Sequence, residues 1–208
     1  MVSLSPQELA TNFEAALERI GAYFVNDSPL QRAARQIARY LDDLGIDYAI
    51  AGALSLAAHG FVRVTEDVDV LLSAKDLELF KEAWLGRGYV NLRPGGKAVW
   101  DTAHGVKIDF LIEGDFPGDG APKPVKFPDA KSAAVDAGSF RILSLPCLVE
   151  LKLASGMTAP HRLQDLADVQ RLIFARKLPR EFGQQLDPYV RAKFDELWLT
   201  AQHEPEDY

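Results

Sequence analysis

The chain has 208 residues, 48% hydrophobic and 25% charged, with a net charge of −7. That is the balance of a globular protein of one large or two small domains, and its acidity argues against a chain that lives on nonspecific phosphate contacts. No apolar run approaches the roughly 18 residues needed to cross a bilayer, Met1 to Glu8 lacks the pattern of a signal peptide, and the lone Cys147 excludes an internal disulfide; the expectation is a cytoplasmic protein with no membrane association.

Ser5, Pro6 and Glu8 form a capping-box signature that opens a first helix. Ser28-Pro29 opens a second, with Leu30, Ala33, Ile37, Tyr40 and Leu41 at helical spacing and Gly45 at its end. Asp47 to Ala51 reads as a short strand broken by Gly52, and Ala53 to His59 as a short helix closed by Gly60. A strand over about 66–72 follows, then a helix capped by Ser73 and ended by Gly86 and Gly88. Tyr89 to Leu92, Ala98 to Thr102 and Val106 to Ile112 are strand candidates, with turns at Gly95-Gly96 and His104-Gly105. Residues 114–124 are a Gly- and Pro-rich loop. Phe140 to Leu143 is a short strand, and helices are expected near 145–155, 160–176 and 179–201, with Glu204 to Tyr208 frayed. The pattern predicts an α/β (α+β) fold: a mixed-sheet core flanked by helices over 1–144, and a helical C-terminal part over 145–208 packed on it.

The segment Thr65-Glu66-Asp67-Val68-Asp69-Val70-Leu71-Leu72 carries the most information. Strand periodicity puts Asp67 and Asp69 on one face, with Val68 and Val70 on the other. Carboxylates on an apolar strand need a partner, and two neighbouring ones suit a divalent cation such as Mg²⁺ or Mn²⁺. In Val106 to Ile112, Ile108, Phe110 and Ile112 form an apolar face, while Asp109 shares the other face with Lys107 and Leu111. Should this strand lie beside the first, Asp109 meets Asp67 and Asp69. Three carboxylates then suffice for two cations about 3.5–4 Å apart, and one of them is available as a general base. Upstream, Gly52-Ala53 marks a strand-to-helix turn whose backbone N–H groups suit an anion.

Ala51-Gly52-Ala53-Leu54, His59-Gly60 and Arg63-Val64-Thr65-Glu66-Asp67-Val68-Asp69, with Asp109 later, resemble the nucleotidyltransferase superfamily with a polymerase-β-type core. Leu151-Lys152-Leu153-Ala154 and Asp165-Leu166-Ala167-Asp168 are similar to the lysine and Asp-x-x-Asp motifs of its minimal, toxin-like members, such as the AbiEii abortive-infection toxins. The resemblance spans roughly 46–176. Ala53 departs from it, standing where the family has glycine or serine, so that only backbone donors remain for a phosphate.

The resemblance implies a nucleoside triphosphate donor and an RNA or protein acceptor. Asp67, Asp69 and Asp109 would hold Mg²⁺ (or Mn²⁺), and Gly52, Ala53, Thr65 and Lys152 would contact the nucleotide. It also implies a cognate antitoxin as partner. The alternative is a catalytically silent scaffold on the same fold. Other readings of the residues stay open. Lys152 is a cation for phosphates, a snorkelling side chain, or a partner in an intrahelical charge contact with a neighbour such as Glu150. Asp165 and Asp168 either form an Arg–Asp network with Arg162 or serve the acceptor or base. Arg63 is a candidate to neutralise the acids, and Thr65 to line the site. Lys123, Lys126, Lys131 and Arg141 read as a solvated loop, and the tryptophans as packing residues.

Overall fold

The computed structural model describes residues 4–22 and 29–202. Ser28 and the segment Glu204 to Tyr208, named above as a helix cap and a frayed end, lie outside them. A seven-stranded mixed sheet runs through the middle of the molecule. Its strands are β1 (Ala49–Ile50), β2 (Asp67–Leu72), β3 (Tyr89–Asn91), β4 (Ala98–Asp101), β5 (Val106–Ile112), β6 (Ala134–Ala137) and β7 (Phe140–Leu143), in the order β3-β4-β5-β2-β1-β7-β6. The β2–β5 and β1–β7 pairs are parallel and the others antiparallel. The fold class is α/β, with helices on both faces.

One face of the sheet meets α1 (Pro6–Ala22), α2 (Pro29–Asp43) and α4 (Ala74–Trp84). Phe13, Ile37, Leu41 and Phe80 close there over Val68, Val70 and Ile108. Each such fully buried side chain contributes about 1.5–3 kcal/mol. The opposite face carries Ala49, Leu71 and Leu143. It is covered by α5 (Ala130–Ala133), α6 (Leu145–Thr158), α7 (Leu163–Arg176) and α8 (Pro188–Ala201). The alternation in β2 therefore sends the valines into the first core and the aspartates toward the C-terminal helices.

Local signals hold where they were strongest. The Ser5 and Glu8 side chains exchange bonds with each other's backbone N–H groups, at 3.3 and 2.8 Å. Ser73 caps α4, accepting from the Asp76 N–H at 3.1 Å. The short helix α3 spans Gly52–Ala58 and ends at His59. Two expected helices each begin with a short 3₁₀ segment, at Pro160–Arg162 and Arg180–Gln185, before the α-helix proper. β1 is shorter than expected, and α5 and β6 were not expected at all. Trp84 stacks on Tyr40 with centroids 3.7 Å apart, and Trp198 donates to the Leu178 carbonyl at 2.8 Å. Trp84 and Trp198 are half-buried, and Trp100 is exposed. Lys131 pairs with Asp47, Arg141 with Asp42 and Asp47, and Lys123 with Asp119, so these cations serve local ion pairs. Among the described residues, no helix is long and apolar enough to cross a membrane.

His59 ties α3 to the end of β7. Its Nε2 lies 2.7 Å from the Leu143 carbonyl, so the neutral ring donates from that nitrogen. Burial pushes its pKa down from 6.5 to about 4, the Leu143 bond works the other way, and Arg176 adds to the fall. Between these values the unfolded chain binds a proton that the folded one refuses, so stability falls as pH drops from 6.5 toward 4. In thermal melts, the loss of Tm between pH 7 and 5 should be smaller for His59→Gln than for the parent; equal slopes would contradict this.

Candidate active site

The site begins with the register of β2 and β5. They run parallel, with Asp69 opposite Asp109 and Asp67 opposite Lys107. Adjacent strands lie about 4.8 Å apart, and the three aspartates offer carboxylate oxygens that all lie within 4.8 Å of one another. Thr65, just before the strand, donates to Asp67 Oδ1 at 2.7 Å and orients that carboxylate. Three hard oxygen donors with no His or Cys are the chemistry preferred by Mg²⁺ or Mn²⁺, so the residues fit the cation expected here.

Gly52 shapes the wall beside them. Its φ is +56°, and a Cβ placed on it would sit 1.9 Å from Asp69 Oδ2. The Ala51 N–H bonds to the Asp69 carbonyl at 2.9 Å, locking the turn onto the acidic strand. Only glycine combines this backbone with that approach. The Ala53 side chain is buried and is not part of the cavity lining.

A cavity of about 360 Å³ opens in front of Asp69 and Asp109, with Asp67 and Thr65 outside its lining; its size is within the range of small-molecule sites. Asp69, Asp109, Lys107 and Gly52 line its sheet side, and Arg63, Lys152, Arg162 and Asp165 face them. Phe127, Pro117 and Gly118 close another side. Gly118 packs so tightly on α6 that a Cβ would fall 2.4 Å from Thr158 Oγ1.

Lys152 has a definite set of partners. Its Nζ donates to Asp165 Oδ1 at 2.8 Å and Asp168 Oδ2 at 2.7 Å. Glu150 instead accepts from the Asp187 backbone N–H, so of the readings left open for Lys152 the Glu150 contact is not the one the structure shows. Asp168 is fully buried and also takes bonds from Arg63 Nε at 3.2 Å and Gln164 Nε2 at 2.9 Å. Ser155, which the sequence reading did not single out, donates to Asp165 Oδ2 at 2.7 Å. The network is thus centred on a lysine, with Arg63 as its arginine; Arg162 acts on Asp165 through charge alone. Burial pulls the Asp165 pKa up, but Lys152, Ser155 and Arg162 outweigh it and hold the group below its ordinary value.

Asp69 moves the other way. Burial, then repulsion from Asp67 and Asp109, raise its pKa from 3.8 to about 7, against the pull of Lys152 and Arg162. The cluster is therefore over-supplied with negative charge despite its facing cations.

No family model matches the chain, and no curated protein matches it. Among solved structures, an antigenic nucleotidyltransferase-like protein from Paracoccidioides brasiliensis matches with a TM-score of 0.38 and 18% identity, over 68% of this chain and 74% of that one. A STING-associated CdnE c-di-GMP synthase from Capnocytophaga granulosa matches with a TM-score of 0.32 and 9% identity, over 92% of this chain and 96% of that one. Similarity this distant assigns no residue a role, and the functional reading rests on the site itself.

Two outcomes test this geometry. Gly52→Ala should cost about 3 kcal/mol or more in urea unfolding, adding a clash with Asp69 to a left-handed backbone penalty of about 1–2 kcal/mol; a near-neutral change would refute the close approach. For Asp69, the folded state keeps a proton between pH 3.8 and about 7 that the unfolded chain has lost, so this group lowers stability as pH rises through that window. A cation that takes the proton's place should raise the Tm of chelator-treated protein more at pH 8 than at pH 6. A pH-independent gain would contradict the shift.

Proposed function

We propose that the protein is a divalent-cation-dependent nucleotidyltransferase, moving a nucleoside monophosphate from a nucleoside triphosphate to a hydroxyl of RNA or protein. The reading includes the role of a toxin held in check by a cognate antitoxin, and places the chain in the nucleotidyltransferase superfamily. The observation that carries it is the meeting of Asp67, Asp69 and Asp109 at one spot, with Asp69 and Asp109 lining a cavity that Arg63, Lys152 and Arg162 also line. A chain with no use for a cation would gain nothing from gathering three carboxylates on a half-buried sheet face.

In this reading, Asp67 and Asp69 hold Mg²⁺ or Mn²⁺, and Asp109 either completes that set or takes the acceptor's proton. The bound cation supplies Lewis-acid polarisation of phosphoryl oxygens and charge neutralisation. Thr65 fixes the Asp67 carboxylate. The backbone at Gly52 and Ala53 lets the triphosphate approach closely, the Ala53 methyl being turned into the core. Arg63, Lys152 and Arg162 set a positive potential on the wall opposite the acids and draw in an anionic substrate. The acceptor oxygen forms its bond to the α-phosphorus as the bond to the β-phosphate oxygen breaks, and pyrophosphate leaves. The protein's contribution is position and electrostatics, which dominate phosphoryl chemistry. We also treat 1–144 as the core that supplies the acids and 145–208 as a helical subdomain that supplies Lys152, Asp165 and Asp168.

A second reading, a catalytically silent scaffold, is favoured by two observations: Ala53 offers no hydroxyl, and Lys107 already ion-pairs with Asp109. One experiment separates them. Purified protein is incubated with each labelled nucleoside triphosphate, Mg²⁺ or Mn²⁺, and total RNA or cell extract. Transfer of label to one macromolecule, reduced at least ~100-fold by Asp67→Ala or Asp69→Ala, supports the enzyme. Label that persists in both variants removes these roles, and no label under any condition favours the scaffold.

A further inference from the structure

Lys107 is the one cation that the acidic strands themselves provide. It stands two residues before Asp109 on β5, on the same face, and directly opposite Asp67 in the β2–β5 register. Its ammonium forms an ion pair with Asp109 Oδ2. The hydrogen bond to Asp109 raises its pKa, burial works against this, and attraction from Asp109, Asp67 and Asp69 adds to the rise, so its charge is felt by all three carboxylates. The Lys107 side chain is 40% exposed, which leaves it room to swing into the cavity. Lys152 is placed differently, being buried and held by Asp165 and Asp168.

We propose that Lys107 is a built-in competitor for the divalent cation, its ammonium and the metal claiming the same Asp109 carboxylate. The inference rests on the metal-dependent reading above and adds an order of loading to it. An ammonium on Asp109 offsets part of the repulsion among the acids and so weakens their hold on a bare cation. When the cation arrives with a triphosphate, the displaced ammonium meets the phosphates' negative charge inside the same cavity. The cation alone therefore binds weakly, and cation with nucleotide binds together. Lys107 acts here as a positioning residue: it sets when the carboxylates become available, and reaches the nucleotide only after leaving Asp109.

The test is calorimetric titration of Mn²⁺ and of Mg²⁺ into chelator-treated full-length protein without nucleotide, comparing the parent with Lys107→Met and Lys107→Arg. Lys107→Met should bind the cation about tenfold tighter, as expected for removing one charge-assisted pair from a shared carboxylate, and Lys107→Arg should stay near the parent. Lys107→Met should also melt at a lower temperature than the parent with chelator and recover with Mn²⁺, a reversal that loss of packing alone would not give. Equal or weaker cation binding by Lys107→Met overturns the competitor role while leaving the metal site standing. Absence of binding by the parent and both variants overturns the metal-dependent reading and this inference with it. Were Lys107→Met to fail to fold even with Mn²⁺, Lys107→Gln decides by the same isotherm.

Discussion

Every feature of the cleft answers one constraint: two parallel strands in a register that sets aspartate against aspartate. Strand spacing is fixed by backbone hydrogen bonding, so the Cα atoms of Asp69 and Asp109 cannot separate without breaking the sheet, and Asp67 lies one alternation away on the same face. Like charges this close are costly in a half-buried setting. The fold compensates from both sides, with Lys107 rising from the same sheet and Arg63, Lys152 and Arg162 facing it. Gly52 completes the arrangement by omission, since its missing side chain is the space that Asp69 Oδ2 uses.

The cationic wall has its own internal logic. Lys152 could not sit buried on α6 without counter-charges, and Asp168 could not sit fully buried on α7 without donors. Each answers the other, and Ser155, Gln164 and Arg63 satisfy the remaining oxygens. Arg63 precedes the acidic strand while Asp168 lies on a C-terminal helix, so this contact also joins the two layers that enclose the cavity. Breaking such a network by removing one member typically costs more than the same change in an exposed pair, because an uncompensated charge is left inside.

Much of this was legible in the sequence because its signals are local. The alternation in Val106 to Ile112 gave both the bounds of β5 and the face of Asp109, and the Ser73 cap and Gly52 break were read from residue type alone. What escaped depends on tertiary placement. Ala134 to Ala137 has two alanines and an aspartate among its four residues, poor strand formers, and becomes a strand only because β7 offers it an edge. Lys152 has Glu150 close by in sequence, yet its partners lie 13 and 16 residues away, at a distance that no helical periodicity reveals. Ser155 shares the face of Leu148 and Lys152 on α6, a spacing that could have pointed to it. The fold class was therefore readable, the acids nearly so, and the facing network only in part.

The two halves of the cleft are made at different times. The carboxylates come from residues 67 to 109, whereas Lys152, Arg162 and Asp165 come from helices that follow β7. A nascent chain paused on the ribosome before those helices emerge has made its acids, Arg63 and Lys107, but not Lys152 or Arg162, and its acidic sheet face lacks the cover of α6 and α7. Whatever chemistry the finished molecule performs, a half-synthesised copy has no chamber in which to perform it.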